Sequence, residues 1–260
     1  MSHLLLATDL RVIAGVLAAL LLGAVELGFR LGSAHRSDSD DRAGVALTTI
    51  IGALLGLLAL LLGFTFSMAV SRYDARRRLV VEDANAIGTA FLRTQFLPEA
   101  ERAASAQRLR RYVDVRLELH QAASEGTPTA AGLDETKRLQ DELWALAVGA
   151  ADAQQQSLPI QLYVASLNQL IDVHGERYAV VLASLPEAVL HLLFVMTVGT
   201  GGLIGYACGR VGQRYGVSTT IFAILIVGVI MVIMDLDRPR HGLIRVSQQP
   251  IVDLQQALKP

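Results

Sequence analysis

The chain has 260 residues, of which 52% are hydrophobic and 18% are charged, and its formal net charge is −1. This balance is more apolar than that of a soluble domain of similar size, and the near-zero charge excludes the basic footprint of a nucleic-acid-binding protein. The single cysteine, Cys208, excludes an intramolecular disulfide and a cysteine-based metal cluster.

The sequence contains no motif that is typical of a soluble enzyme. The six histidines never take an HExxH-type spacing, and no phosphate-binding loop, dinucleotide-binding turn or nucleophile elbow occurs. An intramembrane enzyme is also disfavoured, since no cluster of His, Glu and Asp lies within an apolar segment. The sequence therefore predicts no catalytic residue, no metal ligand, no cofactor and no enzymatic activity.

Four apolar segments are long enough to cross a bilayer, which needs about 20 residues. They lie at 12–29, 45–70, 188–209 and 217–234. The second is longer than a bilayer requires, so we expect it to tilt or to continue beyond the membrane. No strand-like alternation persists anywhere, and the sequence predicts an all-α polytopic membrane protein with four transmembrane helices.

Positive charge near the ends of the spans predicts their orientation. Nine arginines fall on one side of the membrane: Arg11, Arg72, Arg76, Arg77, Arg78, Arg177, Arg238, Arg240 and Arg245. Five fall on the other side: Arg30, Arg36, Arg42, Arg210 and Arg214. The richer side is expected to be cytoplasmic. The sequence thus predicts a multi-pass protein of the plasma (inner) membrane with both termini in the cytoplasm.

The spans divide the chain into four parts. These are 1–70 with the first two spans, a helical cytoplasmic region at 71–187, 188–234 with the last two spans, and a cytoplasmic tail at 235–260. In the central region, span two is expected to continue as a helix to about residue 96. Further helices are expected from Pro98 and from Pro159, because proline is favoured in the first turn, and from about Asp134 to Ala153. Glycine and proline predict a loop from Glu125 to Gly132.

Small residues recur at helical spacing on two spans. Gly52, Gly56 and Gly63 mark one face of span two, and Gly201, Gly205 and Gly209 mark one face of span three. Small residues let helix backbones approach closely where lipid supplies no hydrophobic drive. Both sets are predicted to lie in helix packing within the subunit, or in a subunit contact or pore-lining face.

Several polar or aromatic side chains are candidates for an ion pathway: Glu26, Phe64, Thr65, Phe66, Ser67, Asn85 and Thr89. Glu26 is the sole ionisable residue inside a span, where a carboxylate needs a partner or water; an interfacial ion pair with Arg30 is the alternative. Asn85 and Thr89 follow span two at helical spacing. A vestibule lining and a solvated face both account for them.

Charged residues flank the second and fourth spans on the predicted cytoplasmic side. Arg76, Arg77 and Arg78 are first of all topology determinants, and they could also hold anionic lipid or gather anions at a pore mouth. Span four ends in a carboxylate-rich stop followed by a partly apolar tail, which we expect to dock on the cytoplasmic helices. That stop comprises Asp235, Asp237, Arg238 and Pro239.

Several longer runs of the sequence form a recognisable set. They are Gly56 to Ala69, Arg72 to Arg77, Glu82 to Ala90, Glu26 to Arg30 and Asp235 to Pro239, followed by Gly242 and Val246 to Pro250. These runs resemble those of the bacterial bestrophin-like membrane proteins. They touch both ends of the chain. Bestrophins are oligomeric anion channels with four-helix protomers. The chain lacks their Arg-Phe-Pro tripeptide, so the resemblance implies their outline of four spans, cytoplasmic ends and a helical cytoplasmic mass.

Two function classes follow. The first is an ion channel, a homo-oligomer in the lipid bilayer that conducts inorganic ions, with span two and its extension nearest the axis. The alternative is a non-conducting membrane scaffold or sensor that binds a partner protein through its cytoplasmic helices. The scarcity of charge within the spans favours the alternative, because a deep aqueous path usually has a more polar lining.

Overall fold

The computed structural model describes residues 9–35, 41–125, 127, 129–153, 157–183, 185–238 and 244–259, excepting the side chains of 41–43 and 182. Eight α-helices lie in this part of the chain: α1 Leu10–Ala34, α2 Asp41–Arg93, α3 Glu99–Glu125, α4 Ala130–Ala153, α5 Leu158–Leu182, α6 Glu187–Val211, α7 Gly216–Asp237 and α8 Gln249–Ala257. A 3-10 turn at Thr94–Phe96 ends α2. The predicted all-α class is therefore confirmed.

Local sequence explains where several helices begin and end. The Asp9 carboxylate accepts a hydrogen bond from the Arg11 N–H at 2.9 Å and caps the start of α1. Proline stands in the first turn of α5 and of α8, where its missing N–H has no helical partner to lose. Gly212 ends α6 with a φ of 74°, a left-handed conformation that glycine adopts without strain.

Four helices are long and apolar enough to cross a membrane, namely α1, α2, α6 and α7. This confirms the four predicted spans. α2 has 53 residues and a length of about 80 Å at 1.5 Å per residue, far more than a bilayer needs. The expected continuation of span two as one helix is thus observed as far as Arg93.

The chain forms two compact units. One comprises Met1–Ser71 and Ser184–Arg238, and the other comprises Arg72–Ala183 and Pro239–Pro260. The first, called here the span unit, holds α1, α6, α7 and the N-terminal part of α2. The second, called here the amphipathic unit, holds the rest of α2 with α3, α4, α5 and α8.

Close backbone contact organises the span unit. α1 packs along α6 and also against α7. A Cβ on Gly205 would meet the Val25 carbonyl oxygen, and one on Gly28 would meet the Gly202 carbonyl oxygen. The two helices therefore pack glycine to backbone, at a separation that no larger side chain permits at these positions.

Interlocking side chains organise the amphipathic unit. α4 packs on α3 and α5, and the C-terminal α8 packs on α3, as the apolar residues of the tail predict. Tyr112, Tyr163 and Leu143 are almost fully buried at its centre, and Ile251 of α8 is fully buried with them. Removing such side chains from water is the main stabilising contribution to a core of this kind.

One predicted boundary is wrong. The expected loop as far as Gly132 is shorter, because α4 already begins at Ala130. Gly132 lies inside the helix and against α3, where an added Cβ would meet the side chain of Leu119. This glycine is a packing residue at a close helix crossing and not a helix breaker.

Candidate functional site

The span portion of α2 has one buried face and one exposed face. Leu58, Leu62, Thr65 and Ala69 are at most 8% exposed and recur at helical spacing. The Thr65 hydroxyl donates to the Leu61 carbonyl oxygen at 2.7 Å. Thr65 therefore lies on the face that this chain itself covers, away from the exposed candidates for a pathway.

The opposite face of α2 is exposed and is formed by unusually small residues. Gly52, Gly56, Gly63 and Ser67 are all exposed, and no described atom would lie within 4 Å of a Cβ built on any of the three glycines. Phe64 is 65% exposed beside them. Within the described chain this stripe of small residues meets no partner, unlike Gly201, Gly205 and Gly209 of α6.

The same face continues past the span. Asn85 is 18 residues, or five turns, beyond Ser67, so the two positions coincide around the helix axis. Asn85 and Thr89 are both exposed. Phe66, at 41% exposure, points about 100° away from Ser67. Ser67, Asn85 and Thr89 thus form one polar line on α2.

Glu26 lies among cations at the predicted outer end of the span unit. Its carboxylate accepts hydrogen bonds from Arg30 at 2.9 Å and from Arg214 at 3.2 Å, and the Arg214 guanidinium stacks over the Phe29 ring at 4.4 Å. The Glu26 side chain is 38% exposed. This arrangement supplies the ion-pair partner that an intramembrane carboxylate requires.

The three glycines of α6 that the sequence singles out each lie against α1. A Cβ on Gly201 would meet Leu21, one on Gly205 would meet the Val25 backbone, and one on Gly209 would meet the Phe29 backbone. Sequence reasoning missed the complementary pair on α1, Gly28 and Gly32. The signal was present, because these two glycines have the GxxxG spacing of close helix pairs.

The predicted anchor residues separate into buried and exposed side chains. Arg76 is 6% exposed, whereas Arg77 and Arg78 are exposed and Arg78 pairs with Glu82 at 3.4 Å. The three side chains therefore do not form one exposed patch.

The carboxylates at the end of α7 are buried. Asp235, Asp237 and Arg238 are at most 7% exposed. Asp237 accepts the Leu185 N–H through both of its oxygens, at 2.9 and 3.1 Å, and so ties the end of α7 to the residues just before α6. Pro239 lies outside the described residues.

A buried ionic cluster in the amphipathic unit was not predicted. Asp83 of α2 is fully buried, and its Oδ2 accepts from Arg116 at 2.8 Å and from Arg177 at 2.5 Å. Arg177 also donates to the Gln248 side chain at 2.6 Å. One carboxylate thus joins α2, α3 and α5 through two arginines, and Arg177 extends the network to the residue before α8.

The histidine of this cluster is neutral. Arg116 Nη1 lies 2.9 Å from His174 Nδ1, and since an arginine can only donate, Nδ1 is the acceptor and the ring proton is on Nε2. Burial, with the nearby Arg116 charge, lowers the pKa of His174 to about 4. Burial and the charge of Arg177 also lower the pKa of His120.

In the described part of the chain, no group of three His, Cys, Asp or Glu side chains is close enough together to bind a metal ion. The cluster around Asp83 has two cations and one carboxylate, so its excess charge is positive. Such a centre repels metal ions and attracts anions.

The fold and these features define an all-α membrane protein with four spanning helices and an amphipathic helical unit. A family model described as Bestrophin-like domain matches residues 15–251. The chain therefore belongs to the bestrophin-like family, as its sequence motifs indicate. The comparison with curated proteins finds no match.

Solved structures share this fold over nearly the whole chain. A bacterial bestrophin homologue from Klebsiella pneumoniae superposes with a TM-score of 0.68 at 14% identity, covering 96% of this chain and 97% of its own. A point variant of that homologue gives 0.66 at 15% identity, covering 92% and 96%. A variant described only as a membrane protein gives 0.72 at 13% identity, covering 96% and 98%. At these identities the likeness concerns the fold alone.

Proposed function

We propose that this chain is the subunit of a homo-oligomeric ion channel of the bacterial inner membrane, with the exposed face of α2 toward a shared axis. The observation that carries the proposal is the low burial of α2 within its own chain. Only 6% of its spanning window is buried, against 22% to 28% for the other three spans.

Lipid alone is a poor covering for that face. The exposed residues of α7 are bulky and aliphatic, such as Val217 at 77% and Ile224 at 66%, as expected of a helix that faces acyl chains. α2 instead exposes three glycines and Ser67, which leave backbone and a hydroxyl uncovered. A second copy of α2 or a water-filled path satisfies such a face better than lipid does.

The side chains along α2 suit a narrow path. Phe64 stands beside the small stripe, and a ring of such side chains around an axis forms an apolar constriction that can gate by dewetting. Ser67, Asn85 and Thr89 would follow it as polar lining. Glu26 pairs with cations near the other end of the span unit and is not needed for this lining.

The arginine distribution supports a cytoplasmic location for both termini and for the amphipathic unit. Cysteine labelling in intact cells tests it, starting from a Cys208→Ser background. Asp40→Cys should react with an impermeant reagent from outside, and Gln255→Cys only after the membrane is opened. The reverse pattern would invert the topology.

Conductance of purified protein in planar bilayers tests the channel directly. On the Cys208→Ser background, Ser67→Cys should lose most of its current after a charged methanethiosulfonate reagent is added. Leu225→Cys is the control, because Leu225 is 63% exposed on α7, and its current should not change.

Two results would count against the channel. The first is an absence of current across a range of voltage, pH and calcium. The second is equal insensitivity of both cysteine variants to the reagent. A strictly monomeric mass in nanodiscs would instead favour the non-conducting scaffold, because a shared axis requires several copies.

A further inference from the structure

The amphipathic unit contains a cavity of about 140 Å³ between α2, α3, α4, α5 and the segment before α8. Four arginines line it: Arg76, Arg116, Arg177 and Arg245. Two of them are the partners of Asp83. Arg245 and Tyr178 are exposed at its margin, so the cavity communicates with the surface of the unit.

The charge of this lining is positive. No Asp or Glu is among its described residues, and the nearby Asp83 is shared between Arg116 and Arg177. One negative charge therefore faces two positive charges in the cluster itself. Arg116 is 8% exposed and Arg177 is 14% exposed, so water screens these charges less than it screens surface arginines.

The charged side chains of the lining are all hydrogen-bond donors. An arginine offers only N–H groups, and His174 uses its Nδ1 lone pair on Arg116, which leaves Nε2–H as a donor. The lowered pKa of His174 and of His120 keeps both rings neutral near pH 7. The positive charge of the cavity is therefore that of its arginines and does not change with histidine titration near neutrality.

The remaining wall is apolar. It is formed by aliphatic side chains of four helices and of the segment before α8, including Leu79, Leu119, Leu133, Val181 and Val246. A dry cavity of about 150 Å³ holds a benzene molecule, so a ring-sized apolar body fits this volume. A bare inorganic anion would leave this wall without a partner.

We propose that this cavity binds a small organic anion of about the size of benzoate. Its carboxylate would accept hydrogen bonds from the arginine wall, where Arg116 and Arg177 are held in place by Asp83. Its apolar body would pack against Leu79, Leu119 and Val181. The proposal concerns a ligand site within one protomer and does not depend on whether the protein conducts ions.

Calorimetric titration of the full chain in nanodiscs tests the proposal with three probes: benzoate, its neutral isostere benzamide, and inorganic phosphate. Benzoate should bind saturably with one site per protomer, and benzamide and phosphate should each bind at least tenfold more weakly. Equal binding of benzamide would overturn the role of the arginines, and equal binding of phosphate would overturn the role of the apolar wall. Absence of saturable benzoate binding would overturn the proposal as a whole.

Matched variants locate the site. Ala123 lines the cavity and Ala122, its neighbour on α3, does not, although both are half-buried. Ala123→Leu should weaken benzoate binding at least tenfold by filling the cavity, and Ala122→Leu should leave it unchanged. Equal effects of the two would place the site elsewhere.

A charge variant tests the arginine wall independently, with no buried residue changed. Arg245→Gln removes an exposed lining cation and should weaken benzoate binding severalfold. Arg78→Gln is the control, because Arg78 lies on the surface of α2 outside the lining. If Ala123→Leu fails to fold, this pair decides the question, and equal affinities for both arginine variants would overturn the assignment.

Discussion

The two units of this protein solve the same packing problem by opposite means. In the span unit, α1 and α6 meet through glycines, and the contact surfaces are backbone atoms of Val25, Phe29 and Gly202. In the amphipathic unit, helices meet through large side chains around Tyr112 and Tyr163. Apolar side chains gain little by leaving lipid for protein, so shape fit dominates between spans, whereas in water their burial is itself stabilising.

Buried polarity follows the same division. On α6 the buried Thr197 hydroxyl is satisfied within its own helix, where it donates to the Leu193 carbonyl oxygen at 2.8 Å. The span unit also buries Asp237, whose carboxylate accepts a backbone N–H from Leu185. In the amphipathic unit the buried carboxylate of Asp83 joins three helices through the side chains of Arg116 and Arg177. A substitution that adds side-chain atoms destabilises a close backbone crossing. A substitution that removes one partner destabilises a buried ion pair. The two units should therefore fail in response to different substitutions.

The largest effect is expected from Gly205→Leu on α6. The new side chain would have to occupy the position of the Val25 carbonyl oxygen, so the helices must separate along their length. We expect a loss above about 4 kcal/mol, the range reached only by the most disruptive substitutions. Thermal unfolding followed by circular dichroism measures it.

Gly199→Leu is the control on the same helix, because no described atom lies within 4 Å of a Cβ built there. It should unfold within a few degrees of the unchanged protein. Similar losses for both variants would show that leucine on α6 is harmful for a reason other than contact with α1.

The next effect concerns the ionic cluster. Arg116→Met keeps most of the volume but leaves the buried Asp83 with one partner instead of two. Removing one partner of a buried ion pair typically costs about 3–5 kcal/mol. Trp144 is the sole tryptophan and lies on α4 of this unit, so its fluorescence reports the unfolding.

A second variant tests the same cluster from the carboxylate side. Asp83→Leu should cost at least as much as Arg116→Met, because it leaves both Arg116 and Arg177 without their carboxylate. Arg78→Met, which breaks an exposed pair with Glu82, should cost less than about 1 kcal/mol. An Arg116→Met variant as stable as Arg78→Met would remove the distinction drawn between the two units.

The close contact of α1 with α6 and the ionic cluster around Asp83 differ in how far they can be predicted from the sequence. The spans and the starts of α3 and α5 follow from long apolar runs and from Pro98 and Pro159, which are local signals. The α1–α6 contact can be predicted only in part. Each helix has glycines at the spacing typical of close helix packing, but neither segment indicates which helix it packs against. Residues such as Gly28 and Gly205 are therefore predictable as a class and not as a pair.

The cluster around Asp83 could not be predicted in the same way. Its members lie 33 and 94 positions apart along the chain, and each stands alone among ordinary charged residues of an amphipathic helix. Whether such a residue faces water or the core depends on how the helices are assembled. The cavity depends on the same assembly. Three of its four arginines, Arg76, Arg177 and Arg245, are visible in the sequence only as determinants of topology, and Arg116 is not distinguished at all.

A smaller effect is expected from pH on the amphipathic unit. The pKa of His174 is about 4 in the folded protein and near 6.5 when unfolded, so between these values the unfolded chain binds more protons. Stability is thus complete above about pH 6.5 and falls as the pH drops toward 4. At ~1.4 kcal/mol per unit, discounted for partial exposure, the loss is about 2 kcal/mol.

Titration of the Trp144 unfolding transition between pH 7 and 4 measures this loss. His174→Asn keeps a hydrogen-bond acceptor for Arg116 but has no titrating ring, so its stability should fall less over that range. His35→Asn, at an exposed position at the end of α1, should leave the pH dependence as it was. Identical curves for all three proteins would exclude His174 as the group responsible.

The smallest effect on the fold of one chain, and the sharpest test of the comparison, is expected from Gly56→Leu on α2. No described atom lies within 4 Å of a Cβ at this position, so the change should alter the unfolding of the protomer by less than about 0.5 kcal/mol. The same glycine stripe is, however, the face proposed to meet other copies of α2. There leucine fills the groove that lets backbones approach, and the protein should shift toward monomers by mass measurement in detergent.

Gly15→Leu is the control, since Gly15 is also exposed in a span and has no described neighbour within 4 Å of a Cβ. If Gly56→Leu keeps its assembly but loses conductance, the stripe faces an open lumen. If it keeps both, the stripe faces lipid, and α2 then packs by neither of the two means that hold the units together.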